Sequence, residues 1–130
     1  MDETRQPRIV VADDDPDTLE FLIELFTQMG YQVVGCPDGL AAQACIAELQ
    51  PDLVTLDVCM PRMDGITLFE HLRDDPHTQS IPVIFFTATS ESLKQRLVDY
   101  KARGADLVVK PDAAVLARLV QDVLGPARVA

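Results

Sequence analysis

VVADDDPDTLE, residues 10–20, is the stretch on which the reading of this chain turns. It begins as an apolar, β-branched run and passes straight into Asp13, Asp14 and Asp15. Valine suits a pleated, buried strand, and Pro16 is a good first-turn residue for a helix. Strand, acidic turn and helix start therefore follow one another without a break. Three like charges side by side repel, so their place at the end of a buried run needs a physical reason.

The bulk numbers narrow the choices. At 130 residues the chain is about one domain, long enough to close around a single core. Hydrophobic residues make up 48% and charged residues 25%, a globular rather than a disordered balance. The net charge of -10 argues against a nucleic-acid footprint, which needs stripes of Lys and Arg. It suits solubility, a bound cation or a basic partner. Cys36, Cys45 and Cys59 are an odd number without CxxC spacing, so a disulfide framework or zinc site is not expected and a cytoplasmic location fits. The N-terminal MDETRQPR carries no apolar leader, and no apolar run approaches the ~18 residues of a membrane span. No linker or repeat is visible. One domain over 1–130 is expected, with a core at about 8–124.

Outward from the opening stretch, short β-branched runs alternate with helical patterns. Strands are predicted at 8–12, 31–36, 53–56, 83–87 and 107–109. The first helix starts near Pro16 and keeps Leu22, Leu25, Phe26 and Met29 on one face until Gly30 stops it. The second starts near Pro37-Asp38 and is expected to bury Leu40, Ala44, Cys45 and Leu49. Further helices are predicted at 66–73, at 91–103 closed by Gly104, and at 113–124. Five strands alternating with five helices imply an α/β, doubly wound parallel sheet with right-handed crossovers. Phe85, Phe86 and Leu107 read as core; His71 and His77 read as surface residues.

Ligands of such sheets bind beyond the carboxyl ends of the strands. There the first strand offers Asp13, Asp14 and Asp15, the third Asp57, the fourth Thr87 and the fifth Lys110. Carboxylates gathered in one place are costly unless a cation joins them, and oxygen ligands alone suit Mg²⁺. A carboxylate can also attack a phosphoryl group. Mg²⁺ and a lysine would then neutralise the transferring oxygens, and a hydroxyl would hydrogen-bond one of them. Asp57, alone at its strand end, is the best nucleophile candidate. Asp15 reads as a helix N-cap.

Four ordered motifs carry a specific resemblance: IVVADDDPD, DLVTLDVCMPRMDG, IPVIFFTA and GADLVVKP. From about Arg8 to Leu124 the chain resembles the response-regulator receiver domains of two-component signalling, the CheY-like group of flavodoxin-like folds. The resemblance supplies the sheet order 2-1-3-4-5, in which the first and third strands are central neighbours and their carboxylates converge. It implies that Asp57 is the phosphoacceptor and that Asp13, Asp14, Asp57 and the backbone carbonyl of Cys59 hold Mg²⁺. It implies that Thr87 moves to the phosphoryl group, that Lys110 pairs with it, and that Lys110-Pro111 is cis. Gly65 would let the loop turn into the third helix. Two positions depart from the family's habit: Leu107 stands where Tyr or Phe is usual, and Asp112 where Phe follows Lys-Pro. The segment from Gly104 to Lys110 is also one residue shorter than the common form.

The function expected is a receiver that takes a phosphoryl group from a histidine kinase or histidine phosphotransfer protein. It would relay the signal by protein contact with a downstream target. It would not be an enzyme for an outside metabolite, catalysing only its own phosphorylation and dephosphorylation. No nucleic-acid or membrane contact is expected, since no basic segment follows the fifth helix; a homodimer through the fourth helix, fifth strand and fifth helix is left open. The alternative is a constitutive, phosphate-independent interaction module on the same fold. An EF-hand reading of Asp13-x-Asp15-x-Asp17 with Glu24 fails, because Thr18 occupies the glycine position. A phosphatase with Asp13 as nucleophile would leave Asp57 without a task.

Overall fold

The computed structural model describes residues 6–88 and 90–125. Residues 1–5, the start of the segment read above for a leader, lie outside them. Strands β1 (Arg8–Ala12), β2 (Gln32–Cys36), β3 (Leu53–Leu56), β4 (Val83–Thr87) and β5 (Ala105–Val109) form one parallel sheet ordered β2-β1-β3-β4-β5. The helices are α1 (Pro16–Gln28), α2 (Gly39–Leu49), α3 (Gly65–Asp74), α4 (Glu91–Val98) and α5 (Ala113–Leu124). The order is the expected one, and β3, β4, α1 and α5 keep to their predicted places.

The period of two along each strand divides the core into two layers. Val10, Ala12, Val54, Leu56 and Phe85 face α2 and α3, where they meet Ala42, Ile46, Leu68, Phe69 and Leu72. Ile9, Val11, Leu53, Ile84, Phe86 and Val108 face Leu22 and Phe26 of α1 and Leu116 and Val120 of α5. Every residue of β3 and β4 is buried, which is why these strands read as unbroken apolar runs.

Two expectations need correction. Helix α2 buries Gly39, Ala42 and Ile46, while Leu40 and Ala44 are exposed and Cys45 and Leu49 half-buried. Its sequence, GLAAQACIAEL, is apolar almost all round, so periodicity could not choose the face. Helix α4 stops at Val98 instead of continuing to 103. A separate 3-10 turn, Lys101–Arg103, follows and ends at Gly104 with φ +85°. The break lets Tyr100 turn inward onto Phe69 and Phe85, with ring centroids 5.0 and 6.4 Å away.

Each helix begins just past the carboxyl end of a strand, and each has a side-chain N-cap. Asp15, Asp38, Asp64, Ser90 and Asp112 accept from the backbone amides of Asp17, Ala41, Thr67, Leu93 and Val115. Four of these caps are aspartates, so part of the acidic excess serves the helix ends. Asp112 thereby acquires a structural role.

Phe85, fully buried between Phe69 and Tyr100, joins the sheet to α3 and to the turn before β5. Phe85→Ala is expected to lower stability by about 3–5 kcal/mol. Urea denaturation followed by circular dichroism measures this; a loss under 1 kcal/mol would contradict the packing described.

Candidate phosphoacceptor site

Ladder register brings the chemistry together. Ala12 pairs with Leu56, and the ladder runs one step further as the Asp57 amide donates to the Ala12 carbonyl at 2.9 Å. Asp13 and Asp57 therefore leave adjacent central strands at nearly one level. On the other side, Thr87 pairs with Val109, and the Lys110 amide donates to the Thr87 carbonyl at 3.0 Å. Residues far apart in sequence become neighbours because parallel strands end together.

The side chains complete the arrangement. The Thr87 hydroxyl donates to Asp57 Oδ1 at 2.6 Å, and Lys110 Nζ donates to Asp57 Oδ2 at 3.0 Å. Lys110 Nζ also reaches Asp13 Oδ2 at 2.8 Å. Asp13, Asp14 and Asp57 each bring a carboxylate oxygen within 4.8 Å of the others. Asp13 and Asp57 are buried; Asp14 is exposed and lines a cavity of about 530 Å³ that also holds Cys59, Asp64 and Arg96. Asp15 turns away: its carboxylate takes the Asp17 amide and the Thr18 hydroxyl, which hold it below the usual carboxylate range.

One lysine cannot balance three carboxylates. Burial, aided by the charge of Asp57, holds the Asp13 carboxyl above its ordinary range despite the bonds from Lys110 and the Asp15 amide. Burial alone would lower the Lys110 ammonium, but its bonds to Asp13 and Asp57 outweigh that and raise it. The surplus of buried oxygen ligands and the cavity opening onto Asp14 fit a hard divalent cation that keeps some of its water.

The Asp57–Gly65 loop is fixed at both ends. Val58 and Met60 bury their side chains in the α2/α3 layer while Cys59 between them is exposed. The Gly65 amide donates to the Val58 carbonyl at 2.9 Å. A Cβ at Gly65 would lie 2.2 Å from the Asp57 carbonyl oxygen, so only glycine lets α3 start against Asp57. The Lys110-Pro111 bond is cis, as the resemblance implied.

The expected site residues Asp13, Asp14, Asp57, Thr87 and Lys110 thus meet in one place. Nothing in the side-chain geometry draws in Cys59, whose implied part is its backbone carbonyl. His71 and His77 are exposed away from this cluster, His71 Nδ1 sharing a hydrogen bond with Gln43. Leu107 is half-buried against the core, and Tyr100 supplies an aromatic to the same layer. Sequence reading missed an ion pair between Asp38 and Arg62 beside the loop. The Asp-Gly after Pro37 and the Arg in MPRMDG were visible, but nothing in their spacing joins them.

A parallel five-stranded sheet whose central strand ends carry this constellation defines a class, and the comparisons agree. The chain belongs to the response regulator receiver domain family, whose pattern it matches over residues 9–121. It is a receiver domain of two-component systems. It is 37% identical over 114 residues to the response regulator PleD of Caulobacter vibrioides, covering 86% of this chain and 25% of PleD. With the DNA-binding dual master transcriptional regulator RpaA of Synechocystis it shares 35% over 105 residues, covering 81% of this chain and 43% of RpaA. The chain therefore spans less than half the length of these relatives. Among solved structures, the receiver domain of a signal transduction histidine kinase from Syntrophus aciditrophicus superposes with a TM-score of 0.79 at 33% identity, covering 91% of this chain and 89% of that one. The chemotaxis protein CheY4 of Vibrio cholerae gives 0.79 at 28%, covering 91% and 98%. No helix among the described residues is long and apolar enough to cross a membrane.

The raised Asp13 carboxyl has a consequence for stability. Its contribution is fully present below pH 3.8, the ordinary value, and is lost as the pH climbs through the raised native value. Above that value, ionising the group is a standing cost in the ion-free protein. Asp13→Asn is expected to raise the melting temperature in EDTA by a few degrees, the scale of a ~1 kcal/mol change. It should weaken magnesium binding in the same protein. A variant that melts lower than wild type in EDTA would contradict this balance of charge.

Proposed function

We propose that Asp57 is the phosphoacceptor and that Asp13, Asp14, Asp57 and the Cys59 carbonyl hold Mg²⁺ beside it. The observation that supports this best is that both oxygens of Asp57 are already occupied, one by the Thr87 hydroxyl and one by Lys110 Nζ. A carboxylate oriented by two donors at a strand end presents a fixed oxygen to an incoming phosphorus. The donor is a phosphohistidine on a histidine kinase or histidine phosphotransfer protein. The bond between nitrogen and phosphorus breaks, the bond from Asp57 oxygen to phosphorus forms, and the imidazole leaves with the electron pair. The cation supplies charge neutralisation of the phosphoryl oxygens.

On this reading the residues of the site divide the work. Lys110 keeps its ammonium close to the new phosphoryl oxygens and to Asp13. Thr87 gives up its bond to Asp57 Oδ1 and donates instead to a phosphoryl oxygen. The phosphoryl group adds about -1.5 to -2 charges. Rearrangement at Thr87 then shifts a pre-existing equilibrium at the face of α4, β5 and α5, where a downstream protein or a second copy binds. The chain acts in the cytoplasm as a signalling module that catalyses only its own phosphorylation and dephosphorylation, without contacting nucleic acid.

Intact mass spectrometry tests the acceptor. Incubation with acetyl phosphate and Mg²⁺ should add one phosphate to wild type and none to Asp57→Asn. Addition to the variant at the wild-type rate would overturn the assignment.

A second reading, a phosphate-independent interaction module, is favoured by one observation: Leu107 is packed half-buried against the core where the family usually has an aromatic. The two readings part at the switch. If Thr87 drives the change, Thr87→Ala should lower the affinity of the beryllofluoride-activated protein for its partner more than Leu107→Ala does. The reverse order in a binding assay would favour the module.

A further inference from the structure

Past Asp57, the loop makes a turn that would not hold by itself. The Met63 amide donates to the Pro61 carbonyl at 2.7 Å, closing a three-residue turn with Arg62 at its centre. Arg62 has φ +66°, one of only two positive values at non-glycine positions among the described residues. Three-residue turns centred on positive φ are rare and strained, and such a backbone persists only where its surroundings hold it.

Two contacts hold this one, both from the start of α2. Arg62 Nε donates to Asp38 Oδ2 at 2.9 Å. The other oxygen of the same carboxylate, Oδ1, accepts the Ala41 amide at 2.8 Å and so caps α2. Asp38 is buried, although the Arg62 side chain that reaches it is largely exposed. Next to Asp38, Gly39 lies against the Met63 backbone, where a Cβ would sit 2.0 Å from the Met63 carbonyl oxygen. One carboxylate therefore joins the first turn of α2 to the strained turn three residues beyond Cys59.

We propose that Asp38 and Arg62 are positioning residues for the ion site, keeping the β3–α3 loop, and with it the Cys59 carbonyl, where the cation binds. This rests on the reading of Asp13, Asp14, Asp57 and Cys59 as the ion's ligands. Neither Asp38 nor Arg62 touches the ion or the phosphoryl group. They act by restricting the loop, so the ion meets a formed site and does not have to order one.

The sign of two charge changes separates positioning from plain electrostatics. If only the field at the site mattered, Arg62→Ala would remove a positive charge and strengthen magnesium binding, while Asp38→Asn would weaken it. If the pair positions the loop, both variants weaken binding. Asn is as good an N-cap as Asp, so Asp38→Asn breaks the ion pair while leaving α2 capped.

The experiment is a calorimetric titration of each full-length protein with magnesium chloride, paired with urea unfolding in EDTA. Both single variants should bind magnesium roughly two- to fivefold more weakly, the range a partly exposed pair can support. The double variant should bind no more weakly than the weaker single, because the two act through one contact. Arg62→Lys should recover part of the loss. The unfolding midpoints in EDTA should stay close to wild type, so the loss cannot be assigned to a weakened fold. Opposite signs for the two single variants, or unchanged affinity in both, would overturn the proposal alone. A wild type that binds no magnesium would remove the underlying ion site and this proposal with it.

Discussion

Three carboxylates share one ammonium at the carboxyl edge of the sheet, and most of the molecule can be understood from that imbalance. Asp13, Asp14 and Asp57 bring oxygens within 4.8 Å of one another, while Lys110 reaches only Asp13 and Asp57. A fold built for stability alone would not assemble them. The cost is carried because both core layers are closely packed and because strands β1 and β3, buried on both faces, cannot slide to separate their ends. The same imbalance makes the site responsive. On the proposed reading, a bound cation would relieve it and a phosphoryl group would add negative charge again.

Around this centre the fold repeats one device. Parallel strands separated by crossover helices place every helix N-terminus at the functional edge, and each is capped by an aspartate or serine. Asp15, Asp38, Asp64 and Asp112 thus resemble ligand residues in sequence while serving the helices. Asp15 shows the distinction. It adjoins Asp14 but spends its carboxylate on the Asp17 amide and the Thr18 hydroxyl. Asp38 serves twice, capping α2 with one oxygen and holding Arg62 with the other.

Much of this was legible in the sequence, for identifiable reasons. Strands β3 and β4 are buried on both faces, so their apolar runs were unambiguous, and the residues just past them were placed by topology. Asp57 and Thr87 followed from those ends and Lys110 from the end of β5, with the sheet order supplied by resemblance. Helix α2 was misread because an almost uniformly apolar segment has no preferred face. Helix α4 ends at Val98 although LVDYKARG continues the helical composition, because half-buried Tyr100 packs against Phe69 and Phe85 and turns the chain. The Asp38–Arg62 pair could not be read, since 24 residues separate the partners and only the fold brings α2 against the loop. Local composition reveals elements and strand ends; contacts between loops need the assembled structure.

The central claim is that one particular carboxylate, residue 57, becomes the acyl phosphate. Borohydride reduces such a mixed anhydride to an alcohol, which turns a phosphorylated aspartate into homoserine and fixes its position for peptide sequencing. Protein phosphorylated with acetyl phosphate and Mg²⁺, reduced and digested, should carry homoserine at residue 57. Homoserine at residue 13 or 14, with residue 57 untouched, would contradict the account.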